Sequence, residues 1–412
     1  MHIFKFGGAS VKDANAVRNL KEIVQKNDSE PLVVVISAMS QSTNLLETLV
    51  QKGIEGKEYE NELNQFLTFH ASISTDLMGK PCPASDDLAI ELGKEMEAIK
   101  GMDWVLAYDR IVPYGELMST RIIAEFLGTE LSVKWMDARR FIKTDGFFTE
   151  ANILWDLTEE KINTEVRPVL TDSIVITQGF IGSTEKNETS TIGREGSDFT
   201  GAILAHCLDA KDFTVWKDVP GILNADPKLK PEAEQFAQLS YREATEMTYY
   251  GAKVIHPKTL KPLAQKSIPL IVRSFVEHEK SGTHIGLKNS IKELPVFIFK
   301  ENQLLFSLEV RDHSFIDEKL LAIILSALDK LNVKINLMQN SALTFSFCMD
   351  NKSHKLDPIL EALSSHFDVT YNRPLKLTTV KNYTDESLNE LPEMGEILLL
   401  QKTRHTYQIL HR

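Results

Sequence analysis

The sequence predicts an α/β protein in which a mainly parallel sheet is sandwiched by helices, followed by a smaller α+β region of ferredoxin-like pattern. The aliphatic run at residues 32–36 is typical of a strand buried on both faces. Strand-like and helical patterns alternate up to about residue 285, as they do in parallel sheets covered by helices. After residue 295 the order becomes strand, helix, two strands, helix and strand, which is the ferredoxin-like split unit.

The first part opens with a strand at residues 2–6, a glycine pair, a helix around residues 17–24 and the strand at 32–36, which together form a β-loop-α-β unit. Helical spacing then dominates residues 44–102, with a break near 79–83, and another helix follows residue 115 and ends at Gly128. The remaining predicted elements are strands at 131–136, 174–177 and 213–216 and helices around 158–167 and 198–208.

The second part is predicted to contain strands at 303–310, 334–338, 342–349 and 368–371, with helices at 315–331 and 355–366. Residues 375–380, 396–401 and 406–410 are strand-like, and this tail is too short for a second complete unit with its own helices. A length of 412 residues favours two to three domains. The expected division is therefore 1–285, 295–374 and a strand-rich tail at 375–412.

The composition, 42% hydrophobic and 25% charged, is that of a soluble globular protein. The formal net charge of −12 argues against a nucleic-acid or anionic-membrane partner, because no basic field offsets it. The three cysteines are far apart and fit a reduced set rather than a disulfide framework. The chain shows no signal-peptide core and no stretch long enough to span a bilayer. We therefore expect a cytoplasmic protein.

The stretch from residue 174 to 205 is the strongest candidate for an anion-binding site. A short strand leads into a loop with four glycines, and Ser197 and Asp198 then open a helix. Glycine backbone and a helix N-terminus both suit a phosphate, and Arg194 adds a guanidinium suited to a carboxylate or phosphate. A surface hairpin whose glycines only turn the chain is the alternative, and this stretch alone does not separate the two.

Three further blocks carry candidate chemistry near predicted strand ends. Lys5 ends the first strand beside Gly7 and Gly8 and could follow a phosphoryl group, although a solvated lysine at a tight turn is the commoner structure. The hydroxyl-rich run at 37–44 could bind a small polar substrate or cap the next helix. Glu116, at the start of a helix, could pair with a substrate ammonium or only stabilise the helix dipole.

Residues 216–228 are rich in turns and could enclose a nucleotide or only reverse the chain, and Lys253 and His256 lie in an apolar context. The sequence has no metal-ligand spacing of histidines and carboxylates, so we expect no protein-held metal site. It also lacks the GxSxG and GxGxxG motifs that would favour a hydrolase or a dehydrogenase.

Taken together and in order, the blocks KFGGAS, SAMSQSTN, GELMST, TQGFIGS, STIGREGSD, KDVPGI, ADPK and GAKVIHP resemble the aspartate kinases of the amino acid kinase family. The resemblance runs from the start of the chain to about Thr283, and the remainder is similar to the regulatory ACT region of that family. It implies an amino acid kinase catalytic domain at 1–285, an ACT-like domain at 295–374 and a reduced second ACT-like unit at 375–412.

The resemblance implies transfer of the γ-phosphoryl group of MgATP to the side-chain carboxylate of L-aspartate, giving 4-phospho-L-aspartate, the first step towards lysine, threonine and methionine. ATP and Mg²⁺ are the implied cofactors. Lys5 would neutralise charge on the transferring group and Asp198 would orient that lysine. Such a reaction needs no covalent nucleophile, because the acceptor carboxylate is already ionised.

Further roles follow from the same resemblance. Glu116 would hold the substrate's ammonium and Arg194 its carboxylate. The complete implied substrate set is Ser37, Thr43, Glu116, Phe180, Ile181, Gly182, Arg194 and Ser197. The implied nucleotide set is Gly7, Gly8, Ser10, Lys217, Asp218, Gly221, Asp226, Lys228 and Lys253.

The chain departs from the family pattern at three positions. Ala9 replaces a threonine, Glu195 replaces a glycine, and Leu223 replaces an aromatic residue. The ACT region implies at least a homodimer and an amino-acid effector, lysine or threonine. The residues after 295 leave no room for a homoserine dehydrogenase segment, so we expect a monofunctional enzyme. The competing hypotheses are a kinase for another amino acid and a catalytically weak, amino-acid-sensing ACT protein.

Overall fold

The computed structural model describes residues 1–193, 195–252, 255–287, 294–311 and 314–412. The contacts divide the chain into two compact units. Unit 1 comprises Met1–Ile222, Gln235–Thr245 and Val254–Ile291, and unit 2 comprises Leu223–Glu234, Glu246–Lys253 and Lys292–Arg412. Segments from the middle of the chain therefore belong to the same unit as the C-terminal region.

Unit 1 is built on an eight-stranded sheet in the order β3-β4-β2-β1-β7-β9-β10-β8, and a separate β5-β6 hairpin follows β4. The strands are β1 (His2–Phe6), β2 (Leu32–Ile36), β3 (Val133–Met136), β4 (Ile174–Gln178), β5 (Ile181–Ser183), β6 (Thr189–Thr191), β7 (Asp212–Lys217), β8 (Gln238–Ser240), β9 (Leu270–Ser274) and β10 (Thr283–Gly286). Neighbouring strands are parallel, except for the antiparallel pair of β9 and β10. The predicted mainly parallel sheet is confirmed.

The helices of the first 285 residues are α1 (Ala14–Gln25), α2 (Ser42–Glu55), α3 (Glu60–Met78), α4 (Pro83–Ala98), α5 (Trp104–Ile111), α6 (Tyr114–Leu127), α7 (Trp155–Lys161), α8 (Gly196–Leu208), α9 (Tyr241–Tyr250) and α10 (Pro257–Lys266). Local chemistry sets several of their ends. The carboxylate of Asp13 accepts a hydrogen bond from the Ala16 N–H at the start of α1. Gly79, with φ of +72°, ends α3 at the predicted break.

The centre of the sheet is buried on both faces, as the aliphatic run in β2 predicts. All five residues of β2 are buried, and β1 pairs with β2 on one side and β7 on the other. In this register Lys5 lies between Val35 and Val215. Lys5 is thus placed near the carboxyl end of a central strand.

Unit 2 contains a six-stranded antiparallel sheet in the order β12-β13-β11-β14-β16-β15. Its elements are β11 (Val296–Val310), α11 (Glu318–Lys330), β12 (Leu337–Asn340), β13 (Thr344–Asp350), α12 (Ser353–Leu363), β14 (Phe367–Lys381), α13 (Asp385–Asn389), β15 (Ile397–Lys402) and β16 (Thr406–His411). The order from β11 to β14 is the predicted ferredoxin-like one, and a core that includes Phe306, Phe347 and Phe367 fills the space under the helices.

Two strands of unit 2 are longer than predicted. β11 begins at Val296 rather than near residue 303. Its first part was not predicted because a register shift between Lys300 and Gln303 interrupts the alternation of apolar residues along the strand. β14 continues to Lys381 and pairs with β16, so residue 374, the proposed domain boundary, falls inside a strand. The strand-rich tail also contains the short helix α13, which a capping box at Thr384 begins.

Candidate active site

A cavity of about 640 Å³ lies at the carboxyl ends of β1, β2, β4 and β7. In parallel α/β sheets this edge is where ligands bind, since the loops that follow the strands meet there. The cavity brings together nine residues that the resemblance implies for the site: Lys5, Gly8, Ser37, Thr43, Glu116, Phe180, Ser197, Asp198 and Lys217.

Two lysines converge on one buried carboxylate in this cavity. Lys5 Nζ lies 2.7 Å from Asp198 Oδ1, and Lys217 Nζ lies 3.7 Å from Asp198 Oδ2. Burial acts to raise the pKa of Asp198, but the charges of Lys5 and Lys217 outweigh it and leave that pKa below its usual value. The group keeps a net positive charge where an anionic ligand can approach.

Asp198 is in this position because α8 begins immediately beside the sheet. The helix starts at Gly196, so Asp198 occupies its first turn, where a carboxylate also interacts favourably with the helix dipole. Ser197 was predicted to open the helix, and it lies instead one residue inside it, with Glu195 at the N-cap. Lys217 ends β7, which is the neighbour of β1 in the sheet, and this register carries it to Asp198.

Glu116 is a buried carboxylate with one oxygen that has no hydrogen-bond partner among the described residues. It lies in the first turn of α6, is 4% exposed, and its Oε1 accepts a hydrogen bond of 3.3 Å from the Ala38 N–H. Burial raises the pKa of Glu116 to about 8, although the Ala38 N–H and the charge of Lys5 act in the opposite direction. A buried, unsatisfied oxygen of this kind favours the binding of a ligand that donates hydrogen bonds.

The glycine pair after β1 allows the backbone to pass close to the loop after β2. A Cβ on Gly8 would lie 2.8 Å from the carbonyl oxygen of Ala38 and 3.1 Å from that of Ser40, so only glycine fits without a shift. Gly7 lies against Lys5, since a Cβ there would be 3.3 Å from Lys5 Nζ. The turn therefore holds backbone and lysine together at one wall of the cavity.

Comparisons with known proteins identify relatives of this chain. A model described as the Amino acid kinase family matches residues 1–274. The lysine-sensitive aspartokinase 3 of Escherichia coli is 32% identical over 361 residues, which cover 84% of this chain and 78% of that enzyme. The chain spans only 32% of another relative, the chloroplastic bifunctional aspartokinase/homoserine dehydrogenase 2 of Arabidopsis thaliana, with 33% identity.

Two solved structures of E. coli aspartokinase III match the whole of this chain. The complex with aspartate and ADP, in the R-state, has a TM-score of 0.86 at 28% identity, and 96% of that chain is covered. The complex with lysine and aspartate, in the T-state, has a TM-score of 0.81 at 29% identity, and 95% of it is covered.

The chain belongs to the amino acid kinase family, in its aspartate kinase branch.

Not every residue that the family resemblance implies lies in the cavity wall. Phe180 does, and its N–H donates to Thr200 Oγ1 at 3.0 Å. Ile181 is fully buried and Gly182 packs against Ile142, because both belong to the β5-β6 hairpin. Ser10 is also buried, and its hydroxyl donates to the Trp216 carbonyl at 3.3 Å.

The predicted nucleotide residues fall in several places. In unit 1, Asp218 is exposed in the loop after β7, and Gly221 follows it with φ of +159°. Asp226 and Lys228 belong to unit 2, where the Asp226 carboxylate accepts a hydrogen bond of 2.9 Å from the Lys228 N–H. Arg194 and Lys253 lie outside the described residues.

The departures from the aspartate kinase pattern differ in their surroundings. Ala9 is exposed, and Leu223 is half-buried in unit 2. Glu195 is exposed, lines the cavity and has φ of +57°, a left-handed conformation that favours glycine. The family's glycine therefore fits the backbone at residue 195 better than the glutamate does.

Other lining residues were missed by the sequence reasoning, namely Glu47, Trp104, Tyr108, Thr149 and Glu150. Trp104 and Tyr108 come from α5, which was not predicted as a separate helix. The apolar residues at 104, 107, 108 and 111 have helical spacing and could have indicated it. Thr149 and Glu150 lie in a loop between elements and carry no local signal.

Among the described residues no group of three or more histidines, cysteines, aspartates or glutamates could hold a metal ion. No helix in the described ranges has the length and apolar character needed to cross a membrane.

Proposed function

We propose that this protein transfers the γ-phosphoryl group of MgATP to the side-chain carboxylate of L-aspartate and releases ADP and 4-phospho-L-aspartate. The observation that carries the proposal is that one cavity contains both Lys5 and Lys217 around Asp198 and the unpaired buried carboxylate of Glu116. The first group suits a transferring phosphoryl group, and the second suits the ammonium of an amino acid.

The acceptor carboxylate attacks the γ-phosphorus directly, and the bond from that phosphorus to the bridging oxygen of ADP breaks. No proton has to be removed from the acceptor, so catalysis rests on orientation and on stabilising negative charge. Lys5 Nζ faces the cavity and can follow charge on the transferring oxygens. Asp198, 2.7 Å away, fixes the direction of that ammonium.

The amino-acid substrate is oriented by groups of opposite charge. Glu116 binds its ammonium, and Arg194, outside the described residues, would bind its α-carboxylate. Ser37, Thr43, Ser197 and the backbone at Phe180 line the same cavity and can complete the polar contacts. Together they present the side-chain carboxylate to the lysines.

The nucleotide is placed on the Lys217 side, where Gly7 and Gly8 offer backbone to its phosphates. Mg²⁺ enters the site as part of the MgATP substrate, because this ion keeps several of its waters and binds largely through phosphate oxygens. The further proposed nucleotide contacts are Ser10, Asp218, Gly221, Asp226, Lys228 and Lys253. Ile181 and Gly182 act, on this proposal, by supporting the chain at Phe180.

At the level of the whole protein, we propose a cytoplasmic homodimer or larger assembly that serves lysine, threonine and methionine synthesis. The ACT-like region would take lysine or threonine as effector, and the E. coli relative is described as lysine-sensitive. The division into a kinase domain at 1–285, an ACT-like domain at 295–374 and a reduced unit at 375–412 remains part of this proposal.

A second candidate is an amino-acid-sensing protein with weak catalysis. The exposed carboxylate of Glu195 at the cavity wall favours it, since a negative charge there opposes the approach of triphosphate. A kinase for another acceptor would use the same lysines with a different amino-acid pocket.

One assay separates these functions. ADP release is measured with MgATP and aspartate, glutamate or no acceptor, and hydroxylamine traps any acyl phosphate as a hydroxamate. Hydroxamate from aspartate alone supports the proposal, whereas hydroxamate from glutamate identifies another amino acid kinase. No turnover with any acceptor supports the sensor. Lys5→Ala should abolish turnover, and a near-normal kcat would contradict the role given to Lys5.

A further inference from the structure

Asp109 is a buried carboxylate that the proposed mechanism does not use. It lies in α5 and is fully buried. Its Oδ1 accepts a hydrogen bond of 2.7 Å from Thr191 Oγ1, and its Oδ2 accepts bonds of 2.9 Å from the Thr191 N–H and 3.0 Å from the Thr149 N–H. Three donors from two distant segments therefore meet on one side chain.

The segments that Asp109 holds form part of the cavity wall. Thr149 lines the cavity with φ of +68°, a conformation that a threonine rarely adopts without tertiary support. Thr191 ends β6, two residues before Gly193, which also lines the cavity. Arg194, the proposed partner of the acceptor's α-carboxylate, follows Gly193 in the sequence.

The third element at this point is α5 itself. Trp104 and Tyr108, from the same helix as Asp109, line the cavity. Asp109 thus joins three parts of one wall, namely α5 itself, the loop at residue 149 and the end of β6. Its partners Thr149 and Thr191 are 40 and 82 residues from it along the chain.

The chemistry of the three contacts makes the carboxylate difficult to replace. Burial raises the pKa of Asp109, and the hydrogen bonds from Thr149 and Thr191 act against that rise. In the described part of the chain no lysine, arginine or histidine forms an ion pair with Asp109. The three hydrogen bonds therefore stabilise the negative charge of its carboxylate in place of a counter-ion. An asparagine can keep both backbone bonds only if its NH₂ group faces Thr191 Oγ1, and the Thr191 hydroxyl must then accept instead of donate.

We propose that Asp109 is a positioning residue that fixes Thr149 and the end of β6 against α5 and so sets the shape of the acceptor side of the cavity. The inference rests on the proposed function, because it assigns this wall to the amino acid rather than to the nucleotide. Its expected signature is a loss of aspartate binding with little loss of ATP binding.

The test compares Asp109→Asn with Asp145→Asn. Asp145 is the control, because its carboxylate also accepts three hydrogen bonds, from Phe147 and Asn152, but it is half-buried and its partners belong to its own loop. In the hydroxamate assay we expect Asp109→Asn to raise KM for aspartate about ten- to a hundredfold, with KM for ATP changed less than about threefold. Asp145→Asn should leave both KM values within about threefold of the wild type.

Thr191→Val provides a milder second variant, since it removes only the hydroxyl donor and preserves the backbone bond. It should raise KM for aspartate about three- to tenfold, and calorimetric titration with aspartate should show the same loss of affinity without turnover. If Asp109→Asn does not fold, the result for Thr191→Val decides.

Unchanged KM for aspartate in folded Asp109→Asn, or in Thr191→Val if Asp109→Asn does not fold, overturns the inference. Equal increases of both KM values, or the same increase in Asp145→Asn, also overturn it, since they indicate general loosening. Failure of the proposed function looks different, because the wild type would then form no hydroxamate from aspartate.

Discussion

The protonation of Glu116 should be coupled to the binding of the amino acid. Burial raises the pKa of its carboxyl to about 8, so at pH 7 the free protein holds this group about 90% protonated. An ammonium can pair only with the carboxylate, so binding lowers the pKa of Glu116 and expels its proton. We therefore expect about 0.9 proton to be released per aspartate bound at pH 7.

Isothermal titration calorimetry measures this release directly. Aspartate is titrated at pH 7 in two buffers that differ in ionisation enthalpy, and the difference in the observed heats gives the number of protons. The affinity should rise up to about tenfold per unit between pH 6 and pH 8 and level off above the pKa. Glu116→Gln should bind weakly, without proton release, whereas Glu150→Gln, an exposed carboxylate at the same cavity, should behave as the wild type.

Stability should change with pH in the matching direction. The unfolded chain ionises Glu116 near the ordinary glutamate pKa of 4.5, while burial raises the pKa in the folded protein to about 8. The folded state therefore binds more protons in this window, and the free energy of unfolding falls as the pH rises from 4.5 to 8, by at most about 4 kcal/mol. Glu116→Gln should remove this dependence. Equal heats of binding in both buffers would refute the reasoning about Glu116.

Three other substitutions have clear expected outcomes. Asp198→Asn leaves Lys5 without its counter-charge in a buried setting, so turnover should fall at least about a thousandfold and chemical denaturation should show a loss of about 3 kcal/mol. Gly8→Ala would put a methyl group 2.8 Å from the Ala38 carbonyl oxygen, and a shift of the loop should lower kcat about tenfold or more in steady-state assays. Glu195→Gly removes the strain of a glutamate in the left-handed conformation, so Tm should rise by about 1–2 °C in calorimetry and KM for ATP should fall; a lower Tm would count against the strain.

The sheet and the charged centre of the cavity were predictable because their signals are local or ordered along the chain. The run at 32–36 is aliphatic because both faces of β2 are buried, and such a run is typical of a central strand of a parallel sheet. Lys5 and Asp198 each gave a weak signal alone. The order of the family blocks predicted that the two residues act together, and in the structure Lys5 Nζ lies 2.7 Å from Asp198 Oδ1.

The remaining features depend on contacts between distant residues. No motif in the sequence around Asp109 indicates its role, because its partners Thr149 and Thr191 are 40 and 82 residues away along the chain. Ile181 and Gly182 follow Phe180 in the family block, yet the hairpin of β5 and β6 directs them into the protein interior. The first half of β11 was not predicted, because the bulge breaks the alternation of apolar and polar residues by which a strand is recognised in sequence.

The interleaving of the two units limits how such a chain can be divided or recombined. The polypeptide passes between them at five points, after residues 222, 234, 245, 253 and 291. Ala225 packs with Phe297 and Val380, so a gene fragment that ends at residue 285 would encode an apolar segment without its partners. Neither unit therefore corresponds to one uninterrupted stretch of the polypeptide, and a cut at residue 285 would remove residues from both.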